Sequence, residues 1–197
     1  MLSVVIATHE SERALLPTLA ALIPGAAAGA VREVIVADGG SHDQTTEIAD
    51  IAGCRIIVSQ ASLGARLRQA TAEARSPWLM FLRPGVVPDP TWISEVIGFV
   101  EAQGRGGLGD ARAAVFRQTP VAGSAQPAWV EILALIRMAL AGPGPDQGLM
   151  MTKQFYDSLG GHRADATDPE ADLLRRIGRR RIGILRTSAG RAAARYS

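Results

Sequence analysis

The fold of this chain is decided by the stretch Val34-Ile-Val-Ala-Asp38-Gly-Gly-Ser-His-Asp43-Gln-Thr45. Its apolar residues predict a buried strand, its two glycines allow a sharp turn, and the residues from Asp43 onward are typical of a helix start. In an open parallel sheet, ligands bind outside the carboxyl ends of the strands. We therefore expect Asp38 to direct its carboxylate into a binding crevice.

The same alternation of strand and helix extends through the first half of the chain. The patterns predict strands at 2–7, 31–37, 55–58 and 78–82, and helices within 11–23 and at 43–52, 62–74 and 90–102. Because the strands are continuous apolar runs, they favour a mostly parallel sheet covered by helices on both faces. Pro17 lies inside the first helical pattern, so we expect that helix to begin near Leu16 or to kink there.

The second half is less regular. It predicts a glycine-rich joint at 104–109, a strand at 113–118, an amphipathic helix at about 127–140, a loop at 142–148, helices at 152–158 and 169–178, and a strand near 182–186. The joint matches Gly-x-Gly-x-x-Gly, but it follows a helix and precedes a strand, the reverse of the order in a dinucleotide site. We interpret it as a connection.

The basic residues are almost all arginine and are concentrated near the end of the chain. Lys153 is the only lysine among 21 basic residues, and the formal net charge is +2. Arginines between residues 175 and 195 could contact anionic lipid or nucleic acid. Only Tyr196 is aromatic in that run, so we expect no nucleic-acid partner, whereas peripheral contact of this basic C-terminal tail with a membrane stays open.

The remaining composition favours a cytoplasmic, soluble or peripheral protein. Cys54 is the only cysteine, which excludes an internal disulfide. The N-terminus enters a strand pattern without a basic leader, so we expect no signal peptide. The apolar stretch at 129–140 contains Glu131 and Arg137 and is too short to span a bilayer.

Four polar residues are expected to form a rim beside the turn. Thr8 and Glu10 follow the first strand, and they would meet Asp38 and Ser41 if the two strands are neighbours. The same residue types cap helices, so the pattern supports a binding site and a pair of caps equally. His42 lies between Ser41 and Asp43 in sequence, but this adjacency is weak evidence for a catalytic triad, which requires convergence in space.

Several motifs in order resemble the nucleotide-sugar half of a family 2 glycosyltransferase. They are Ser3-Val-Val-Ile-Ala-Thr8-His-Glu10, the turn at Asp38, Leu63-Gly-Ala-Arg66-Leu-Arg68-Gln-Ala70 and Leu79-Met-Phe-Leu82. Asp146-Gln147, Leu159-Gly-Gly161 and Pro169-Glu-Ala-Asp-Leu-Leu-Arg-Arg-Ile-Gly178 resemble the acceptor side of short bacterial members. The resemblance implies a single GT-A type α/β domain, with a nucleotide-sugar half at 1–103 and an acceptor half at 104–197.

The resemblance also implies roles for individual residues. Donor contacts would come from Thr8 and Glu10 beside the nucleoside, Asp38 on the base, Gly39 and Ser41 in its turn, and Arg66 or Arg68 at the diphosphate. The partners implied are a nucleoside-diphosphate sugar and an unidentified acceptor hydroxyl, with inversion at the anomeric carbon.

The acceptor side would supply the general base. Glu170 aligns with the family's acid before the Arg-Arg helix, with Asp146, Gln147 and Asp168 nearby. Acids in a first helical turn are also favoured by the helix dipole, and Asp168 and Asp172 compete with Glu170 for either role.

The sequence departs from the family where a divalent metal, Mn²⁺ or Mg²⁺, is usually held. The family's Asp-x-Asp-like motif is replaced by Phe81-Leu-Arg83-Pro-Gly-Val86, so both carboxylates are missing. One hypothesis is that the guanidinium of Arg83 clamps the diphosphate in place of the metal. The alternatives are a nucleotide-sugar-binding protein without turnover and, more distantly, a basic adaptor at the membrane surface.

Overall fold

The computed structural model describes residues 1–105, 112–118 and 143–191. The predicted helix at 127–140, most of the joint at 104–109 and the tail beyond residue 191 lie outside these ranges. The described strands are β1 (Leu2–Thr8), β2 (Val31–Asp38), β3 (Arg55–Val58), β4 (Trp78–Leu82), β5 (Val86–Pro88), β6 (Ala113–Gln118), β7 (Leu149–Thr152) and β8 (Ile182–Arg191). The described helices are α1 (Glu12–Ala27), α2 (Thr45–Ile51), α3 (Leu63–Glu73), α4 (Trp92–Gly104), α5 (Lys153–Ser158) and α6 (Pro169–Ile177).

The strands form one eight-stranded sheet in the order β3-β2-β1-β4-β7-β6-β8-β5. The pairs among β3, β2, β1 and β4 are parallel, as is the pair of β6 with β8, whereas β7 and β5 run antiparallel to their neighbours. The prediction of an α/β fold with a mostly parallel sheet is therefore confirmed. Because β7 pairs with both β4 and β6, the sheet is continuous across the two halves of the chain.

Helices cover both faces of this sheet, as the continuous apolar strands predicted. Alternate strand residues such as Val4 and Ile6 pack with α1, α2 and α4 on one face. Their neighbours, such as Val5 and Phe81, pack with α3, α5 and α6 on the other. Each fully buried large apolar side chain contributes roughly 1.5–3 kcal/mol, so the two layers hold the carboxyl ends of the strands in place.

Helix α1 differs from the prediction. It runs without interruption through Pro17 and Pro24, beginning before Leu16 and extending beyond residue 23. An interior proline costs a helix roughly 3 kcal/mol. Here Leu15, Leu19 and other side chains of α1 are buried against the sheet, and this packing outweighs the missing backbone hydrogen bonds.

No helix within the described ranges is both long enough and apolar enough to cross a membrane.

Candidate nucleotide and acceptor site

The candidate site lies along the carboxyl ends of three adjacent parallel strands. Thr8, at the end of β1, is paired in register with Asp38, at the end of β2. On the other side of β1, Ile6 is paired with Leu82, which ends β4 immediately before Arg83. Since neighbouring strands are roughly 4.8 Å apart, the topology brings the ends of all three strands to one edge.

The side chain of Asp38 is fully buried, so its carboxylate does not open into a crevice as the sequence led us to expect. Its Oδ1 accepts from the hydroxyls of Thr8 at 2.7 Å and Ser41 at 2.6 Å. Its Oδ2 accepts from the backbone N–H groups of Gly40 at 2.8 Å and Ser41 at 2.7 Å. These four bonds fill the usual acceptor capacity of a carboxylate, so Asp38 holds the turn in shape.

The pKa of Asp38 reflects this environment. Burial raises the pKa, but the hydrogen bonds from Ser41, Thr8 and Gly40 outweigh burial and hold it below its usual range. The carboxylate is therefore ionised at neutral pH.

Glu10 connects the turn after β1 to the turn after β2. Its backbone adopts a φ of 46°, a left-handed conformation that is uncommon for a residue other than glycine. Its N–H donates to Ser41 Oγ at 2.9 Å, and its Oε1 accepts from the N–H of His42 at 2.8 Å. The bond from His42 lowers the pKa of Glu10. Glu10 is exposed, so its side chain is accessible at the edge where Asp38 is not.

Arg66 lies beneath the turns. Its Nη1 donates to the carbonyl oxygens of Thr8 at 2.7 Å and Ala37 at 2.9 Å. A Cβ on Gly39 would come 2.9 Å from Nη1 of Arg66, so a larger residue there would require this guanidinium to shift. Burial lowers the pKa of Arg66, and the charge of Asp38 opposes that effect. The positive charge of Arg66 is thus fixed below the Asp38 turn.

Arg68 belongs to a different surface. It is exposed and lines a cavity of about 530 Å³ together with Gln69, Tyr156, Asp157 and other residues of α3 and α5. Arg66 contacts the carboxyl ends of β1 and β2, whereas the contacts described for Arg68 are with other parts of the molecule. Of the two arginines proposed for the diphosphate, the structure brings only Arg66 to the turns.

Arg83, following β4, is surrounded by carboxylates. Its Nε and Nη2 lie 2.6 Å and 2.5 Å from Oε2 of Glu170 in the first turn of α6. Asp146 Oδ1 lies 3.5 Å from Nη1, and Asp168 Oδ1 lies 4.0 Å from Nη2. We call Arg83, Asp146, Asp168 and Glu170 the Arg83 cluster. The structure thereby brings together four residues that the sequence proposed separately.

The titration of the central pair follows from its burial and charge. Burial raises the pKa of Glu170 above its usual range, and the hydrogen bond and charge of Arg83 oppose that rise. For Arg83, burial lowers the pKa, but the hydrogen bond and charge of Glu170 and the nearby Asp146 and Asp168 raise it overall. Arg83 therefore stays cationic.

The other acceptor-side residues have structural partners. Asp168 caps α6 by accepting from the N–H of Ala171 at 3.0 Å. The buried Gln147 donates to the carbonyl of Phe116 at 2.9 Å and accepts from the N–H of Gly144, which fixes the loop before β7. Gln147 is thus placed to hold Asp146 beside Arg83.

Asp172, which competed with Glu170 for the role of base, faces another direction. Its carboxylate accepts from Arg175 and Arg176, each at 2.7 Å. Arg176 also donates to the carbonyls of Leu159 and Gly161. This network, which the sequence analysis missed, holds the Leu-Gly-Gly turn against α6. The only sequence signal for it was the spacing of Asp172 to two arginines on one helix.

As the described residues form it, the Arg83 cluster does not fit a divalent metal. Three carboxylates of the Arg83 cluster converge, but on a guanidinium that occupies the space between them. Within the described ranges, no group of three or more His, Cys, Asp or Glu side chains is arranged to hold a metal ion.

Comparison with known proteins assigns the family. The profile described as "Glycosyl transferase family 2" matches residues 3–156. No curated protein sequence matches the chain.

Solved structures share the fold. S. aureus TarS 1–349 superposes with a TM-score of 0.70 at 15% identity over 97% of this chain and 60% of that chain. Glucosyl-3-phosphoglycerate synthase from Mycobacterium tuberculosis, in complex with Mn²⁺, UDP and glucosyl-3-phosphoglycerate, gives 0.67 at 19% identity over 93% and 68%. TarS 1–349 with UDP-GlcNAc gives 0.69 at 16% identity over 100% and 59%. The chain thus spans about three fifths of the TarS fragment, and it belongs to glycosyl transferase family 2.

Proposed function

We propose that this chain transfers a sugar from a nucleoside-diphosphate sugar to an acceptor hydroxyl, with inversion at the anomeric carbon. Family membership supports the reaction class, and TarS and glucosyl-3-phosphoglycerate synthase were solved with UDP or a UDP-sugar. The observation that carries the proposal is the contact between Arg83 and Glu170 at the end of β4. It joins a fixed cation to a carboxylate beside the strand ends where the nucleotide would lie.

The proposed donor site uses the exposed part of the edge. Glu10 and Ser41 border the nucleoside, while Thr8, Asp38 and Gly39 act through the shape of the turn. A direct bond from Asp38 to the base would require Thr8 or Ser41 to release the carboxylate. Arg66 adds positive charge below the turn, and in the proposal residues 1–103 form this donor half.

The chemical step is a direct displacement. The acceptor oxygen forms a bond to the anomeric carbon, the bond from that carbon to the diphosphate oxygen breaks, and its electron pair leaves with the nucleoside diphosphate. Glu170 takes the proton of the acceptor hydroxyl, and Arg83 stabilises the negative charge that develops on the leaving group. Residues 104–197, with Asp146, Gln147 and Asp168, form the acceptor half.

Diphosphate binding and base activation are coupled in this proposal. In the free protein Arg83 already donates to Glu170, so a diphosphate must compete with that carboxylate for the guanidinium. When the diphosphate takes the guanidinium, Glu170 loses a strong donor and becomes a better proton acceptor. The base is thereby activated only when the donor is present.

The test measures nucleoside-diphosphate release from a panel of uridine, guanosine and thymidine diphosphate sugars, with EDTA and with Mn²⁺. We expect turnover that EDTA does not abolish, a loss of roughly 100-fold or more in Arg83→Ala, and a smaller loss in Arg83→Lys, which keeps the charge without the planar fork. Arg32→Ala, at the opposite end of β2, is the matched control. Full activity of Arg83→Ala would refute the assigned role.

A nucleotide-sugar-binding protein without turnover is the second candidate. One observation favours it: Arg83 and Glu170 neutralise each other, so a stable pair would leave neither group for catalysis. This candidate predicts a thermal shift with nucleoside diphosphates but no release from any sugar in the panel.

A further inference from the structure

A basic cavity lies at the opposite end of the sheet from the Arg83 cluster. It has a volume of about 490 Å³ and is lined by Arg112, Phe155, Ser158, Leu159, Arg180 and Arg181. We call it the amino-end cavity, because it lies where β4 and β6 begin. Arg112 directly precedes β6. The first residue of β6, Ala113, is paired with Met151 of β7, and Met151 is paired with Leu79 near the start of β4. Arg83 follows the other end of β4, roughly 16 Å away along a five-residue strand.

Among the residues that the structure describes, the arginines of this cavity have no acidic partners, unlike arginines elsewhere in the molecule. Within the described part of the chain, no carboxylate lies within ion-pair distance of Arg112, Arg180 or Arg181, whereas Arg83 and Arg176 each contact at least one. The ring of Phe155 lies 6.0 Å from the guanidinium carbon of Arg112. Three like charges around one space repel each other unless an anion joins them.

The backbone fixes this arrangement of charges. The N–H of Arg112 donates to the carbonyl of Arg181 at 2.8 Å, and the N–H of Arg181 donates to the carbonyl of Gly178 at 3.0 Å. Arg180 and Arg181 belong to a single 3-10 turn at Arg179–Arg181. The start of β6 and the turn before β8 are therefore tied together, and the three arginines are presented to one space without depending on a flexible loop for their proximity.

We propose that the amino-end cavity binds a phosphate group. Guanidinium groups donate paired hydrogen bonds that match phosphate oxygens, and the volume lies within the range of small-ligand sites. The Ser158 hydroxyl already donates to the carbonyl of Phe155 at 2.7 Å, so the three arginines supply the donors. The phosphate can belong to a soluble compound or to a lipid headgroup. The inference is independent of the proposed transferase reaction, since no residue of the donor or acceptor site lines this cavity.

The experiment uses the full chain and two probes. Inorganic phosphate is titrated by calorimetry, and co-sedimentation is measured with vesicles of phosphatidylglycerol and phosphatidylcholine against vesicles of phosphatidylcholine alone. The variants are Arg112→Ala and the double variant Arg180→Ala/Arg181→Ala, whose side chains are exposed and whose removal should leave the fold intact. Arg186→Ala, an exposed arginine of β8 outside the cavity, is the matched control, and thermal melts check folding.

We expect each cavity variant to weaken the bound probe at least tenfold, with the control within twofold of the wild type. If the wild type binds inorganic phosphate and the cavity variants do not, a soluble phosphate is sufficient to occupy the cavity. Binding to phosphatidylglycerol vesicles alone, lost in the same variants, identifies a lipid headgroup. No binding of either probe to the wild type, or binding unaffected by the cavity variants, would overturn the proposal.

Discussion

The Asp38 turn and the Arg83 cluster lie at the same edge of the sheet but are built differently. At the turn, one fully buried carboxylate has all four acceptor positions filled at 2.6–2.8 Å by Thr8 at the end of β1 and by Gly40 and Ser41 of its own turn. At the cluster, one guanidinium is shared among three carboxylates, one in close contact and two at 3.5 Å and 4.0 Å. The turn is internally complete, whereas the cluster has uneven contacts that a ligand can replace.

This difference indicates that the two regions have different roles, one in maintaining the shape of the site and the other in its chemistry. A buried polar group whose bonds are complete contributes rigidity, and removing it leaves neighbouring donors without partners. A partly exposed cation with competing anions can exchange one anion for another at smaller cost. We therefore assign the turn to holding the edge in shape and the cluster to the charge changes of the proposed reaction.

The largest effect is expected for Glu170→Gln. It removes the proton acceptor while keeping the size of the side chain, and general-base catalysis typically contributes 10²–10⁴-fold. We expect kcat to fall roughly 100-fold or more, with the affinity for nucleoside diphosphate retained or increased, because Arg83 loses its competing anion. Steady-state kinetics and calorimetry measure the two quantities. Asp168→Asn is the comparison at the neighbouring acid. An equal fall in kcat in that variant would contradict the assignment of Glu170 as the base.

Asp38→Ala is expected to reduce stability more than any change in the cluster. It leaves the N–H groups of Gly40 and Ser41 and the Thr8 hydroxyl without their acceptor, at a cost of about 2–4 kcal/mol in the free energy of unfolding. Ser41→Ala removes one donor and should cost about 1 kcal/mol. Urea unfolding measures both. A loss below about 1 kcal/mol in Asp38→Ala would mean that the turn does not depend on this carboxylate.

The pH dependence of stability should have opposite signs in the two regions. The folded pKa of Asp38 is lowered, so its stabilisation is present above its unfolded value of 3.8 and is lost as the pH falls below it. The folded pKa of Glu170 is raised, so its contribution is present below 4.5 and is lost as the pH rises through the folded pKa.

Unfolding free energies measured between pH 3 and pH 7 test this contrast. Relative to the wild type, Asp38→Asn should lose most at pH 7 and progressively less as the solution becomes acidic. Glu170→Gln should be relatively most stable at the upper end of the range. The same pH trend in both variants would contradict the different environments assigned to the two carboxylates.

The smallest effect is expected at the periphery of the cluster. Arg191 lies 3.9 Å from Asp146, and its side chain is 64% exposed. Exposed ion pairs of this kind contribute about 0–1 kcal/mol, so Arg191→Ala should change the unfolding free energy by less than about 0.5 kcal/mol. A larger loss of unfolding free energy, measured in urea, would mean that Arg191 of β8 also belongs to the Arg83 cluster.

The sequence predicted the architecture where local pattern and tertiary structure agree. Strands β1 to β4 and helices α2 to α6 lie within a few residues of their predicted bounds, because continuous apolar runs and caps such as Ser62 and Asp168 are local signals. Strands β5 and β7 were missed. Each has four residues or fewer, and each exists through pairing, β5 with β8 and β7 with β4 and β6.

The site was predictable as a set of residues but not as a set of contacts. Asp38, Arg83 and Glu170 stand out by type and position, yet Arg83 and Glu170 are 87 residues apart and nothing local indicates that they meet. The burial and bonding of the Asp38 carboxylate depend on a donor from Thr8, in another strand, and on donors from its own turn. Such contacts are decided by the sheet order, which single-sequence patterns do not specify.

In the proposed reaction, the Arg83 guanidinium neutralises the charge of the diphosphate without a divalent metal. This central claim is tested most directly by calorimetric titration of wild type and Arg83→Ala with uridine, guanosine and thymidine diphosphate, in EDTA and in Mn²⁺. We expect at least one diphosphate to bind with similar affinity in EDTA and in Mn²⁺, and roughly tenfold or more weakly to Arg83→Ala. Binding that requires Mn²⁺ and is unchanged in Arg83→Ala would contradict it.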